Sequence, residues 1–154
     1  MGPERKFYQK VKKCFTDISL IRIENNSLLG TPDLLGYNAS GHFFTLELKV
    51  TRSKKIKFSP HQIAFHVKHP HNSFILVEDL GQSTAKLFRG SRIEELAACG
   101  LTLEACCWGL DACRLRLNNL ESFRTNLFKQ QATSVKPRGT SFKRQATSNK
   151  LIDP

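Results

Sequence analysis

Two acids and a lysine stand out for what they could do together. Asp33 closes the segment Gly30-Thr31-Pro32-Asp33, and after a gap of 13 residues comes Glu47-Leu48-Lys49. Asp33 is expected at the start of one strand, with Glu47 and Lys49 on the next, so a tight turn between the strands brings Asp33 beside Glu47. Two carboxylates held that close repel each other and do not both stay ionised without a cation. A hard divalent ion with oxygen ligands resolves the conflict, and Mg2+ or Mn2+ suits the donors. The main-chain carbonyl of Leu48 would add a ligand. Lys49, on the same face as Glu47, would reach an attacking water or a scissile phosphate. Polarising a phosphoryl oxygen and activating water are what phosphodiester hydrolysis requires. A Glu-x-Lys pair on its own is more often a solvated ion pair.

The elements that must position these residues follow from periodicity and turn chemistry. A first helix is expected over Glu4 to Phe15, with Phe7, Val11 and Phe15 on one face and Lys6, Lys10, Lys12 and Lys13 on the other. Ile18 to Glu24 reads as a strand, and Asn25 to Thr31 as a loop rich in turn-formers. Pro32 holds Thr31 extended, and Leu34 to Asn38 forms a second short strand. In a third strand, His42 to Val50, the period of two puts Phe44, Leu46, Leu48 and Val50 on one apolar face, with Phe43, Thr45, Glu47 and Lys49 opposite. Ser59-Pro60 is an N-cap followed by proline at the first helical position, opening a helix to about His69. Strands are expected at Ser73–Glu78 and Thr84–Arg89. A short helix between Ser91-Arg92-Ile93-Glu94, which has capping-box form, and Gly100 comes next. Residues 101–128 yield no clear order, although Leu120 to Phe128 has helical character.

The chain has 154 residues, room for one domain, with 24 Lys and Arg against 13 Asp and Glu and a formal charge of +11. That excess makes a polyanion the natural partner, nucleic acid before an anionic membrane surface. No apolar run approaches the roughly 18 residues of a membrane helix, and no N-terminal segment reads as a secretory signal. Five Cys without finger spacing fit a reduced, cytoplasmic chain better than a disulfide framework. Residues 1–128 carry 18 basic and 12 acidic side chains, whereas residues 129–154 carry six and one. This second stretch repeats Gln-Ala-Thr-Ser at 131–134 and 145–148 and has little to bury, so it is expected to be a disordered basic tail, either a solvated terminus or an electrostatic arm.

Pro32-Asp33, then Glu47-Leu48-Lys49, a basic loop and a helix opening Ser59-Pro60-His61-Gln62 together resemble the PD-(D/E)xK nuclease superfamily, over roughly residues 4–90. Within it the chain is most similar to small VRR-NUC-type proteins and to phage- and archaeal-type Holliday junction resolvases. The resemblance implies an α/β, restriction-endonuclease-like core: a helix, a three-stranded meander, a helix and further strands in a mixed sheet. It implies metal-dependent cleavage of DNA, most naturally branched DNA such as a four-way junction, by a C2 homodimer in a prokaryotic or phage-infected cell. Asp33 and Glu47 would be metal ligands, Lys49 the water-orienting or charge-stabilising group, and Gln62 a supporting residue aimed at the site or the DNA. Relatives usually supply one more acid. Glu24, beside the loop that delivers Asp33, is preferred here, with Glu4 as its rival.

The loop after the third strand carries Arg52, Lys54, Lys55 and Lys57 with no intervening acid, and would bind phosphates together with Lys12 and Lys13 of the first helix. His61, His66, His69 and His71 lack the spacing of a zinc finger; His66 and His69 are expected on the second helix, where its C-terminal dipole favours positive charge. Trp108, Cys106 and Cys107 read as packing. The apolar stretch 101–128 is a candidate dimer surface. Three rivals keep some of these features: a flap, nicking or restriction-type nuclease, a non-catalytic nucleic-acid-binding module, and an RNA-binding protein.

Overall fold

The computed structural model describes residues 1–24 and 27–120. The basic stretch 129–154 and the helical character expected after Leu120 lie outside the described residues. Six strands form one mixed sheet in chain order: β1 (Ser19–Arg22), β2 (Leu34–Tyr37), β3 (Phe43–Thr51), β4 (Ser73–Asp79), β5 (Thr84–Arg89) and β6 (Cys107–Trp108). All neighbours run antiparallel except β3 and β4, which are parallel because α2 (Pro60–Lys68) carries the chain back between them. The helices α1 (Pro3–Cys14), α3 (Ile93–Cys99) and α4 (Leu110–Asn118) complete the order, a helix, a meander, a helix and further strands.

The period of two on β3 divides the interior. Phe44, Leu46 and Leu48 point into one core with Phe74, Leu76, Ala85 and Leu87, which α1 closes with Phe7 and Val11 and α4 with Cys113 and Leu117. The opposite face holds a smaller core, where Ile75, Val77 and Phe88 meet Ile56, Ile93 and Leu96, with Ile63 of α2 packed alongside. Strand β4, buried along its whole length and apolar from Phe74 to Val77, feeds both cores, as a covered strand does. Glu47 and Lys49 therefore lie on the α2 side of the sheet.

Three local expectations change. The helix over 93–99 opens through a 3-10 turn at Gly90–Arg92, so Ser91 lies inside that turn and makes no cap, and Arg92 stands at the N-cap without a side-chain hydrogen bond. Part of the 101–128 segment serves this chain's own core through Cys113 and Leu117, leaving Trp108 and Leu115 exposed. Trp108 does not pack inward; its ring lies 4.6 Å from the Lys86 ammonium. All five cysteines are free, and no helix among the described residues is long and apolar enough to cross a membrane.

Candidate active site

The β2–β3 pairing ends at Leu34 with Leu46, so Asp33 and Glu47 are the residues next beyond it, and the Asp33 charge is near enough to act on the Glu47 carboxyl. The next step explains how Asp33 is held. The Thr45 N–H donates to the Asn72 carbonyl on the β4 side, so the N–H groups of Leu46 and Leu48 turn toward β2. The ladder ends at Leu34–Leu46, and Pro32, two residues before Leu34, has no N–H with which to extend it. The Leu48 N–H donates instead to Asp33 Oδ2 at 2.8 Å.

Glu47 is 1% exposed, and Lys49, two residues along the strand, places Nζ 3.1 Å from Glu47 Oε1. The second contact comes from α2. Ser59 caps this helix, accepting the Gln62 N–H at 3.2 Å, while Gln62 Oε1 accepts the Ser59 N–H at 3.0 Å. The capping box leaves the Gln62 amide nitrogen turned inward, where it donates to Glu47 Oε1. Glu47 Oε2 is buried without any partner among the described residues. Gly30, at φ +84°, packs against the first turn of α2 so tightly that a Cβ there would lie 2.3 Å from the His61 carbonyl oxygen. The loop that delivers Asp33 and the helix that delivers Gln62 are thus fitted to each other.

The electrostatics follow from burial and crowding. Burial first, then the nearby Asp33 charge, push the Glu47 carboxyl up to about 7, against the pull of Lys49. Burial also raises Asp33, opposed by the Leu48 N–H and by Lys49 and Arg22. Two acids that resist ionisation side by side, one with an unpartnered buried oxygen, form a donor set that a hard divalent cation would satisfy. No group of three or more His, Cys, Asp and Glu side chains able to hold a metal lies among the described residues, so the remaining ligands of such an ion would be main-chain carbonyl and water.

Glu24 and Glu4, the two candidates for the further acid, stand in different surroundings. Glu24 projects outward, its side chain 79% exposed and 3.7 Å from Arg22. Glu4, in the first turn of α1, lines a small cleft with Asp33 and Leu48, and its charge adds to the upward push on Glu47. Arg5, Tyr8 and Arg22 line the same cleft, the Arg22 guanidinium 5.6 Å from the centre of the Tyr8 ring. The one local signal for these three is the spacing of Glu4 and Tyr8, four apart on one helical face. His66 departs from expectation too. It is buried against Ser73, with Nδ1 2.5 Å from Ser73 Oγ, and burial together with the Lys49 charge lowers its pKa to about 4. The ring is therefore neutral at physiological pH rather than a cation on the helix dipole.

The basic loop is a built structure. Ile56 is buried in the smaller core, Thr51 Oγ1 donates toward the Ser53 and Lys55 carbonyls, and the Leu101 N–H donates to the Lys54 carbonyl at 2.7 Å. Arg52, Lys54, Lys55 and Lys57 are all exposed on it, immediately after the strand that carries Glu47 and Lys49. Lys12 and Lys13 are exposed in the last turn of α1, about 12 Å along that helix from Glu4.

No protein-family model matches the chain, and no curated protein matches it. Among solved structures, the chain is similar to Hjc, a Holliday junction resolvase from the archaeal hyperthermophile Archaeoglobus fulgidus, with a TM-score of 0.47 and 12% sequence identity over 58% of this chain and 74% of that one.

Proposed function

We propose that the protein is a metal-dependent endonuclease that hydrolyses DNA phosphodiester bonds, with branched DNA, a four-way junction above all, as its substrate. The observation that carries this reading is the buried Glu47 carboxylate, close enough to Asp33 to feel its charge and with Oε2 unpartnered among the described residues. Asp33, Glu47 and the Leu48 carbonyl would hold Mg2+ or Mn2+, with Glu4 close enough to act on the same cleft; when bound, such an ion polarises a phosphoryl oxygen and lowers the pKa of water. Lys49, held at the same carboxylate, supplies positive charge to a phosphate entering beside it and orients the attacking water. Gln62 fixes the Glu47 carboxylate, so its role is positioning. Arg52, Lys54, Lys55 and Lys57 align the phosphate backbone with this point without reading bases. Paired cuts at a junction need two such sites, so the active form is a C2 homodimer.

The test is cleavage of labelled four-way junction, flap and linear duplex in parallel, with Mg2+, Mn2+ and Ca2+. Symmetric nicks near the branch with the first two ions, and binding without cutting in Ca2+, are the expected result. Preferred cutting of flap or linear duplex would keep the chemistry and replace the substrate. Tight binding with no cutting of any form in any ion would leave a nucleic-acid-binding module.

A further inference from the structure

The face of β3 that carries Glu47 continues past it to Thr45 and Phe43, and α2 runs alongside. One and two turns beyond Gln62, Phe65 and His69 line a groove of about 280 Å³ together with Leu35, Phe43, His71 and Asn72. The groove is ring-rich. Phe65 and His69 have ring centroids 4.8 Å apart, and Phe43, 57% exposed, leans on Tyr37 at 4.6 Å. No acidic side chain lines it, in a chain whose formal charge is +11. Asn72 lies in the left-handed region at φ 53° and its carbonyl accepts the Thr45 N–H, so this residue is fixed at the groove's edge. Along β3, Phe43 is about 13 Å from Glu47, within reach of a nucleotide near the phosphate held at the site.

We propose that this groove takes one unpaired DNA base, stacked on Phe43 and the Phe65–His69 pair, from the strand whose phosphate lies at the Glu47 site. Exposed aromatic faces stack any base. An amide and two imidazoles at the rim offer donors and acceptors to its edge. A base inside an intact duplex presents neither face nor free edge, so the occupant must come from a single-stranded arm, a branch point or a frayed end. The inference rests on the reading that the Asp33–Glu47 site receives a DNA phosphate.

The test uses the full chain in Ca2+ and reads binding. Y-shaped DNA with one 2-aminopurine in an unpaired arm next to the branch is compared with fully paired duplex of the same length. The expected result is a change in 2-aminopurine fluorescence on binding. Phe43→Ala should abolish it and weaken the branched complex about tenfold, with duplex affinity unchanged. Phe43→Leu keeps an apolar side chain without a ring and should behave like Phe43→Ala; thermal midpoints near that of the parent exclude misfolding. Unchanged fluorescence, or equal loss for branched and paired DNA, would overturn the proposal. So would a variant that binds as before but turns a dimer into a monomer, which would make the groove an interface between copies. A chain that cuts DNA without the fluorescence change keeps the hydrolytic reading and loses the groove; one that shows the change without ever cutting in Mg2+ does the reverse.

Discussion

Gln62 donates its side-chain amide to Glu47 Oε1, and the same side chain is held by the Ser59 N–H through its carbonyl oxygen. One residue therefore closes the N-terminus of α2 and fixes the acid at the centre of the candidate site. Helix capping and carboxylate positioning are separable, because each uses a different atom of the amide.

We predict that Gln62→Glu separates them. A glutamate keeps an acceptor for the Ser59 N–H but sets a second carboxylate against Glu47. The thermal midpoint should stay near that of the parent at pH 5 and fall at pH 8, and Mg2+-dependent cleavage should drop about tenfold or more. Gln62→Leu loses both roles, with a further loss of about 1 kcal/mol in stability. Parent-like cleavage by Gln62→Leu would show the contact to be idle.

The Glu47 carboxyl binds its proton more tightly in the folded chain, at about 7 against an ordinary 4.5. The folded state thus holds more protons than the unfolded one between these values, so stability falls as pH rises from 4.5 to about 7 and then levels off. Glu47→Gln should remove that slope in denaturant titrations. Because a bound divalent cation must displace the same proton, millimolar Mg2+ should raise the thermal midpoint more at pH 8 than at pH 5. Equal effects at both values would argue against Glu47 as a ligand.

His66 works in the opposite direction. Its pKa is lowered from 6.5 to about 4, so the unfolded chain binds the extra proton, and stability is lost as pH falls from 6.5 toward 4. The two slopes overlap, and the Glu47→Gln background isolates this one. There, adding His66→Gln should flatten the acid limb of the stability curve; an unchanged limb would mean that other groups govern it.

The alternation of β3 and the Pro32-Asp33 and Ser59-Pro60 signals were enough to place Asp33, Glu47, Lys49 and Gln62 on the elements that hold them, since strand period, proline chemistry and capping are local. The choice between Glu4 and Glu24 was not local. It depends on how α1 lies across β2 and β3, which is set by Phe7 and Val11 entering the larger core. The burial of His66 likewise arises from β4 bringing Ser73 beneath α2, two elements that the helix sequence alone does not relate. Residues 101–120 are hard to read because β6 has only two residues and α4 is preceded by Gly109, φ 88°, which gives it no side-chain cap.

For the basic loop we predict a change in salt dependence. Lys54→Ala and Lys55→Ala should each lower the slope of log affinity against log salt by about one, alike for all DNA sequences, with little effect on cleavage of substrate already bound. An unchanged slope would place the phosphate contacts elsewhere.

The most direct measurement is single-turnover cleavage of a labelled four-way junction in Mg2+ by the parent chain, Asp33→Asn and Glu47→Gln, with junction affinity measured in Ca2+ alongside. The account predicts that each substitution slows cleavage by about three orders of magnitude or more while affinity stays within about threefold of the parent. Undiminished cleavage by either variant, or a parent chain that binds every DNA form and cuts none in Mg2+ or Mn2+, would contradict it.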